Sequence, residues 1–322
     1  MHPSLEAGLA AIREDRGQGA AQLARRGVGL LAEACALAEE SALAEGAALA
    51  EEAAGAALLA EAAALVRELR AVRPSMAAVG NWALAFYLDL RERLGRPGGA
   101  APAAAGAEIA AALLRRGEEM RAGLIEAARP LLADADSLLT LSRSSTVEEI
   151  LLRAAPPSLR VVVAESRPLL EGRKLAESLI RAGREVRCIT DAQVGLFMRE
   201  CSLLLLGADT ICSDLAVVNK TGSLPAALAA REAGAPCFVA ADTFKVSGSA
   251  AEADVVLEEG PGAEVWEEEA GRCANVYFET VPARLISCFI TEKGALSHAR
   301  LREEAALWRR LEEAFAESLE EG

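Results

Sequence analysis

The sequence predicts an α/β protein, a helical N-terminal domain followed by a Rossmann-like domain built on a doubly wound parallel sheet. Three observations carry this. The chain has 322 residues, about twice the ~150 of a typical domain. Residues 1–128 are dominated by Ala, Leu, Glu and Arg, with apolar residues three and four apart. From about residue 135, short apolar runs alternate with helical segments. Domains are therefore expected at 1–128 and 129–322.

In the first half, helices are expected over 20–39, 41–70, 80–95 and 105–128. Arg73-Pro74-Ser75 and Arg96-Pro97-Gly98-Gly99 break them, and the alanine-rich 100–106 reads as a short linker. Small side chains predominate, which suits a helical bundle or cap with little aromatic core. In the second half, strands are expected at SLLTLS (137–142), RVVVA (160–164), VRCI (186–189), SLLLLG (202–207), PCFVAA (236–241), NVYFE (275–279) and LISCFI (285–290). Helical segments near 145–154, 171–183, 192–200 and 221–234 separate the first five. Continuous apolar runs joined by helical crossovers describe parallel strands buried on both faces. Ligands of such sheets bind beyond the carboxyl ends of the strands.

Composition narrows the function. Apolar residues make up 52% and charged residues 25%, which excludes wholesale disorder. The net charge of −14 argues against a general nucleic-acid binder. The apolar region 42–66 is cut by Glu45, Glu51, Glu52 and Glu61, so no membrane span is expected, and the N-terminus lacks a signal-peptide pattern. Seven cysteines stand scattered without a CxxC pair, which reads as reduced thiols in a cytoplasmic protein. With His2 and His298 the only histidines, no metal site is expected. No GxGxxG or GxxxxGK[ST] follows a strand, and no cofactor is expected.

The residues after each strand hold the candidate site. Thr140-Leu141-Ser142-Arg143-Ser144-Ser145 leads into a helix, where hydroxyls either cap the helix or receive an anion. Arg167, beside Pro168, either grips a phosphate or pairs with Glu165 or Glu171. Thr190-Asp191 is a helix-start signal. Asp209 ends the run LLLLGAD, and Asn219-Lys220 is expected at the start of the next helix. Lys220 and Lys245, two of only four lysines, follow consecutive strands of one expected sheet. Asp209 with Lys220 forms either a structural ion pair or a proton-transfer constellation on a phosphorylated substrate.

The stretches ESRPLLEGRKLAESL (165–179), ITDAQVGLFM (189–198), LLLGADTI (204–211), VNKTGSLPAALAAREAGAPCFVAADTFK (218–245) and ETVPARLISCFITEKGAL (279–296) resemble one superfamily. It comprises the alpha, beta and delta regulatory subunits of eukaryotic initiation factor 2B, methylthioribose-1-phosphate isomerase and ribose-1,5-bisphosphate isomerase. DRGQGAAQLA (15–24) and RPSMAAVGNWA (73–83) match more weakly. The resemblance implies a homodimer formed through the Rossmann-like domain and a sugar-phosphate pocket between the two domains. Carried over motif by motif, it implies ligand contacts at Gly19, Ala20, Arg73, Ser144, Ser145, Arg167, Asn219, Lys220 and Lys245. It also implies a catalytic aspartate, matched by Asp209, and a catalytic cysteine within a Thr-His-Cys pattern. Here that pattern reads Thr140-Leu141-Ser142, so Ser142 stands where the thiol is needed. Arg143 adds a guanidinium beside the loop, for a more phosphorylated ligand or a surface salt bridge. Glu171 stands where the isomerases often carry glutamine.

A thiol has a reference pKa near ~8.5, far below that of a serine hydroxyl. Losing one general acid–base group removes roughly 10²–10⁴-fold in rate. The expectation is an initiation-factor-2B-like protein that binds a phosphosugar or nucleoside monophosphate and is non-catalytic or weakly catalytic. One alternative is an aldose–ketose isomerase acting on ribose-1,5-bisphosphate or a related sugar 1-phosphate, methylthioribose-1-phosphate fitting less well. The other is a translation initiation regulatory subunit, with no direct nucleic-acid contact.

Overall fold

Proline and a capping side chain start the first helix, α1 (Pro3–Glu14). Pro3 has the backbone angle the first turn requires, and the His2 ring accepts from the Ser4 amide at 3.3 Å. In the computed structural model, which describes residues 1–15, 17–44, 51–96 and 101–320, the chain divides into two units. One comprises Met1–Glu118 and Leu307–Gly322, the other Glu119–Ala306.

The first unit continues with α2 (Ala20–Ala44), α3 (Glu51–Val72), α4 (Ala77–Leu94) and the start of α5 (Pro102–Leu132). Apolar residues all round α4, among them Val79, Trp82, Phe86 and Leu90, bury it against α2 and α3. The break at Arg73-Pro74-Ser75 separates α3 from α4 as expected. The second expected break falls largely on Pro97–Gly99, outside the described residues, as do residues 45–50 of the expected 41–70 helix and Arg16 of the 15–24 motif. Residues 102–106 are helical and not a linker. Pro102 takes the first position, and Glu39 accepts from the Ala103 amide at 2.8 Å, placing a carboxylate on the positive helix end.

The second unit carries a seven-stranded sheet. Its elements begin β1 (Ser137–Leu141), α6 (Ser145–Arg153), β2 (Arg160–Ala164), α7 (Glu171–Arg181), β3 (Val186–Ile189), α8 (Val194–Phe197) and β4 (Leu203–Leu206). They continue β5 (Thr210–Ile211), β6 (Val217–Lys220), α9 (Ser223–Glu232), β7 (Cys237–Ala240), β8 (Phe278–Val281), β9 (Cys288–Thr291) and β10 (Gly294–Leu296). The sheet order is β10-β9-β7-β4-β1-β2-β3, parallel throughout except for the edge strand β10. Leu138, Val161, Val163, Leu203 and Leu205 pack on Val147, Ile150, Leu151, Leu175 and Leu179 from α6 and α7. Each such buried aliphatic chain contributes about 1.5–3 kcal/mol.

Three expectations are corrected. Asn219 and Lys220 do not begin a helix; they end β6, which pairs antiparallel with β5 and β8 in a separate three-stranded sheet. Lys220 and Lys245 therefore do not follow consecutive strands of one sheet. The strand expected over 275–279 runs instead over Phe278–Val281 and belongs to the small sheet, because Val217–Lys220 offers it a partner. A final helix, α10 (His298–Glu320), adds to what the sequence pattern predicts. Its end returns to the helical unit, where Phe315 meets Tyr87 edge-to-face at 5.0 Å and Ser318 bonds the Tyr87 hydroxyl. Among the described residues, no helix is long and apolar enough to cross a membrane.

Candidate functional site

Strand order reverses between β1 and β4, so the loops after these two strands border the crevice where such sheets bind ligands. The β1 loop opens at Ser142, whose φ of 59° lies in the left-handed region and turns the chain sharply. Its amide donates to the Ser166 hydroxyl at 2.7 Å, tying this loop to the one after β2. Ser144 is the N-cap of α6, accepting from the Val147 amide, and Ser145 is exposed at the first helical position. Arg143 forms a two-pronged pair with Glu148, 2.9 and 3.3 Å, so its guanidinium is held on α6.

The β2 loop is clamped by Asp191. Its two carboxylate oxygens accept from the amides of Ser166 and Arg167, each at 2.8 Å. The following helix comes down closely on β2: a Cβ on Gly172 would lie 1.9 Å from the Ala164 carbonyl oxygen, which no side chain could share. Arg167 is exposed and donates to the Val265 carbonyl at 3.3 Å. It pairs with neither Glu165 nor Glu171, since Glu165 takes Arg173 at 3.0 Å and Glu171 takes Lys220.

After β4 the chain passes through Gly207, Ala208 and Asp209. A Cβ on Gly207 would stand 2.6 Å from Ser144 Oγ and 3.8 Å from Asn219 Oδ1, so the β1 loop and the end of β6 meet over this glycine. Asn219 is buried and donates to Ser223 Oγ at 2.8 Å, and that hydroxyl donates to the Lys220 carbonyl at 2.6 Å. Lys245, also buried, donates to the Ala208 carbonyl at 2.6 Å, beside Asp209. Asp209 is half-buried, its amide donating to Val218 across the small sheet. Lys220 pairs with Glu171 at 2.7 Å.

Burial pushes the Asp242 carboxyl, just before Lys245, above its ordinary value, with Lys245 and the Phe244 amide pulling the other way. It pushes Glu292, after β9, in the same direction, against hydrogen bonds from Thr243. The thiols elsewhere are held as thiols: burial drives Cys35, Cys212 and Cys237 up to about 12 and Cys201 to about 11.

The helical unit holds the other candidates. Arg73 is buried and donates to the Asp15 carbonyl at 2.7 Å, while the Asp15 carboxylate accepts from Gly17 and Gln18 and pairs with Arg26. Gly19 has open space where a side chain would be, and Ala20 is buried at the start of α2.

A sequence profile of the Initiation factor 2 subunit family matches residues 23–298. The chain belongs to that family. A protein of Pyrococcus horikoshii, provisionally named translation initiation factor eIF-2B subunit 2-like, is 37% identical over 229 residues, 70% of this chain and 78% of its own. The ribose 1,5-bisphosphate isomerase of Archaeoglobus fulgidus is 36% identical over 170 residues, 51% of this chain and 54% of its own. Among solved structures, the translation initiation factor eIF-2B of P. horikoshii superposes with a TM-score of 0.75 at 32% identity, over 93% of this chain and 99% of that one. The 5-methylthioribose 1-phosphate isomerase of the same organism shares the fold, with a TM-score of 0.67 at 20% identity over 98% of this chain and 88% of that one.

In this member of the initiation factor 2 subunit family, Ser142, Ser144, Asp209 and Lys245 follow strand ends and Asn219 and Lys220 end β6, the segments being joined by direct contacts. Arg143 and Arg167 are turned to Glu148 and to Val265. The residues that sequence reasoning passed over are those that hold the others: Ser166, Asp191, Ser223 and the rings of Tyr277 and Phe278 at Lys220. Asp191 carried a local signal, but a helix-start pattern does not reveal that its carboxylate crosses to a neighbouring loop.

Proposed function

We propose that the second unit binds a phosphosugar or nucleoside monophosphate at the β1/β4 switch point and turns it over slowly or not at all. The observation that carries this reading is the closeness of Ser144 and Asn219 over Gly207, next to the Ala208 carbonyl that takes the buried Lys245, which brings a hydroxyl, an amide and an ammonium to one turn. Ammonium groups and helix-start hydroxyls suit a phosphate. At the turn itself Ser142 offers a hydroxyl, too weak an acid to exchange a proton readily at neutral pH, and the buried thiols lie on other elements. Asp209 and Ser142 are then the residues from which any residual proton transfer would start.

A calorimetric titration with sugar 1-phosphates and nucleoside monophosphates, followed by an NMR time course, tests this. Saturable binding with no turnover, or turnover at least a hundredfold slower than in Ser142→Cys, is the expected result. No binding, or fast turnover in the wild type unaffected by Ser142→Cys, overturns it. The second reading, an aldose–ketose isomerase, draws on Asp209 beside the Lys245–Ala208 contact and on the likeness to ribose 1,5-bisphosphate isomerase. Fast turnover abolished by Asp209→Asn would favour it. Co-purification with initiation factors would favour a translation role, which the eIF-2B-like relative suggests.

A further inference from the structure

Lys220 and Glu171 form a closed pair at one side of this cradle. The Lys220 Nζ lies 2.7 Å from Glu171 Oε1, with the two side chains 9% and 20% exposed. The ammonium also lies over the rings of Tyr277 and Phe278, 5.2 and 5.5 Å from their centroids. The second carboxylate oxygen, Glu171 Oε2, is buried and has no hydrogen-bond partner. The neighbouring guanidinium of Arg173 goes to Glu165 instead. Among the described residues, no second donor shares the Glu171 carboxylate, so its charge bears on Lys220.

Lys245 differs. It donates to a neutral carbonyl, and the carboxyl facing it, Asp242, is pushed by burial toward its uncharged form. Of the two buried lysines, Lys220 is the one held by a carboxylate at 2.7 Å.

Resting on the phosphosugar reading above, we propose that Glu171 is a specificity-determining residue that restricts the cradle to ligands carrying a single phosphate, by neutralising Lys220. A second phosphate brought to the pair would meet a carboxylate as well as an ammonium, and like-charge juxtaposition inside a partly dry site is strongly unfavourable. A hydroxyl brought there can accept from Lys220 and donate to Glu171, which is the complement of a neutral pair. The ligand class is thus a monophosphate whose far end is a sugar hydroxyl or diol.

Titration calorimetry of the full chain with ribose 1-phosphate and ribose 1,5-bisphosphate tests this, on the wild type and on Glu171→Gln. The wild type is expected to bind the monophosphate at least fivefold more tightly. Glu171→Gln is expected to shift the bisphosphate-to-monophosphate affinity ratio at least tenfold toward the bisphosphate. A smaller wild-type ratio, a bisphosphate preference, or a folded Glu171→Gln with an unchanged ratio overturns the proposal and leaves the phosphosugar reading standing. Binding of neither phosphate by the wild type overturns both. Should Glu171→Gln fail to unfold cooperatively, the wild-type ratio alone decides.

Discussion

The end of β6 and the ends of β7 and β9 bury charge in opposite ways. At β6 an ammonium is matched by a carboxylate 2.7 Å away and covered by two aromatic rings. Beyond β7 and β9, burial pushes two carboxyls, Asp242 and Glu292, upward, and the charge of Asp242 adds to the rise at Glu292. Lys245 offsets this only in part, because its Nζ is taken by the Ala208 carbonyl. A buried cation can be compensated by a carboxylate in contact with it, whereas buried carboxyls without such a partner are driven toward the neutral form. The local charge of the site is set by this pairing, and the chain's net charge of −14 says nothing about it.

Breaking the pair at β6 is the largest test. Lys220→Met leaves the Glu171 carboxylate without its cation, with one oxygen already unpartnered. We expect a loss of about 3 kcal/mol in chemical denaturation, the scale for an uncompensated buried charge. Adding Glu171→Leu removes that charge, and the double variant should recover most of the loss. A double variant as unstable as the single one would mean that the ring contacts, not the pairing, hold this corner together.

The two sides meet at the turn after β4, where Ala208 receives Lys245 and Gly207 packs on Ser144 and Asn219. Gly207→Ala sets a Cβ 2.7 Å from that of Ser144, which cannot rotate away. Overpacking of this kind costs about 2 kcal/mol. Equilibrium denaturation should show that loss, and Ser144→Gly in the same chain should restore part of it. No loss in Gly207→Ala would show the turn to be pliable, and the two halves of the site independent.

How much of this was legible in the sequence follows from the range of each interaction. β1, β2 and β4 stood out as apolar runs because burial on both faces leaves little room for polar alternation, and RVVVA and VRCI are strands over the residues expected, the second as a half-exposed edge strand. β6 was not legible. Its four residues, Val217–Lys220, form a strand by pairing with Thr210–Ile211 and with Phe278–Val281, which arrives from some sixty residues later, and the local pattern reads as a helix start. The same limit applies to the site. Lys220 and Lys245 could be singled out by their scarcity, but their partners Glu171 and Ala208 are chosen by tertiary contact. The expected linker failed for a related reason, since a glutamate from α2 supplies the cap that starts α5 at Pro102.

The carboxyl side of the comparison is sharpened by pH, with a smaller effect. Asp242 and Glu292 have folded-state values above their unfolded ones, which are near ~3.9 and ~4.3. Between the unfolded and folded values the native protein binds more protons than the unfolded chain, so stability falls as pH rises through that window. Their contribution is complete below about pH 4 and is lost as pH climbs through the folded values. Glu292→Gln removes the Glu292 titration together with the part that burial and Asp242 add to it. The stability of the wild type relative to Glu292→Gln should therefore drop across this window, by ~1.4 kcal/mol for each pH unit between the unfolded and folded values. Thermal or urea unfolding in steps from pH 4 to pH 8 measures this difference. A difference that stays level or rises with pH would mean that Lys245 and the Thr243 hydrogen bonds outweigh burial, and that both ends of the site keep their charge by pairing.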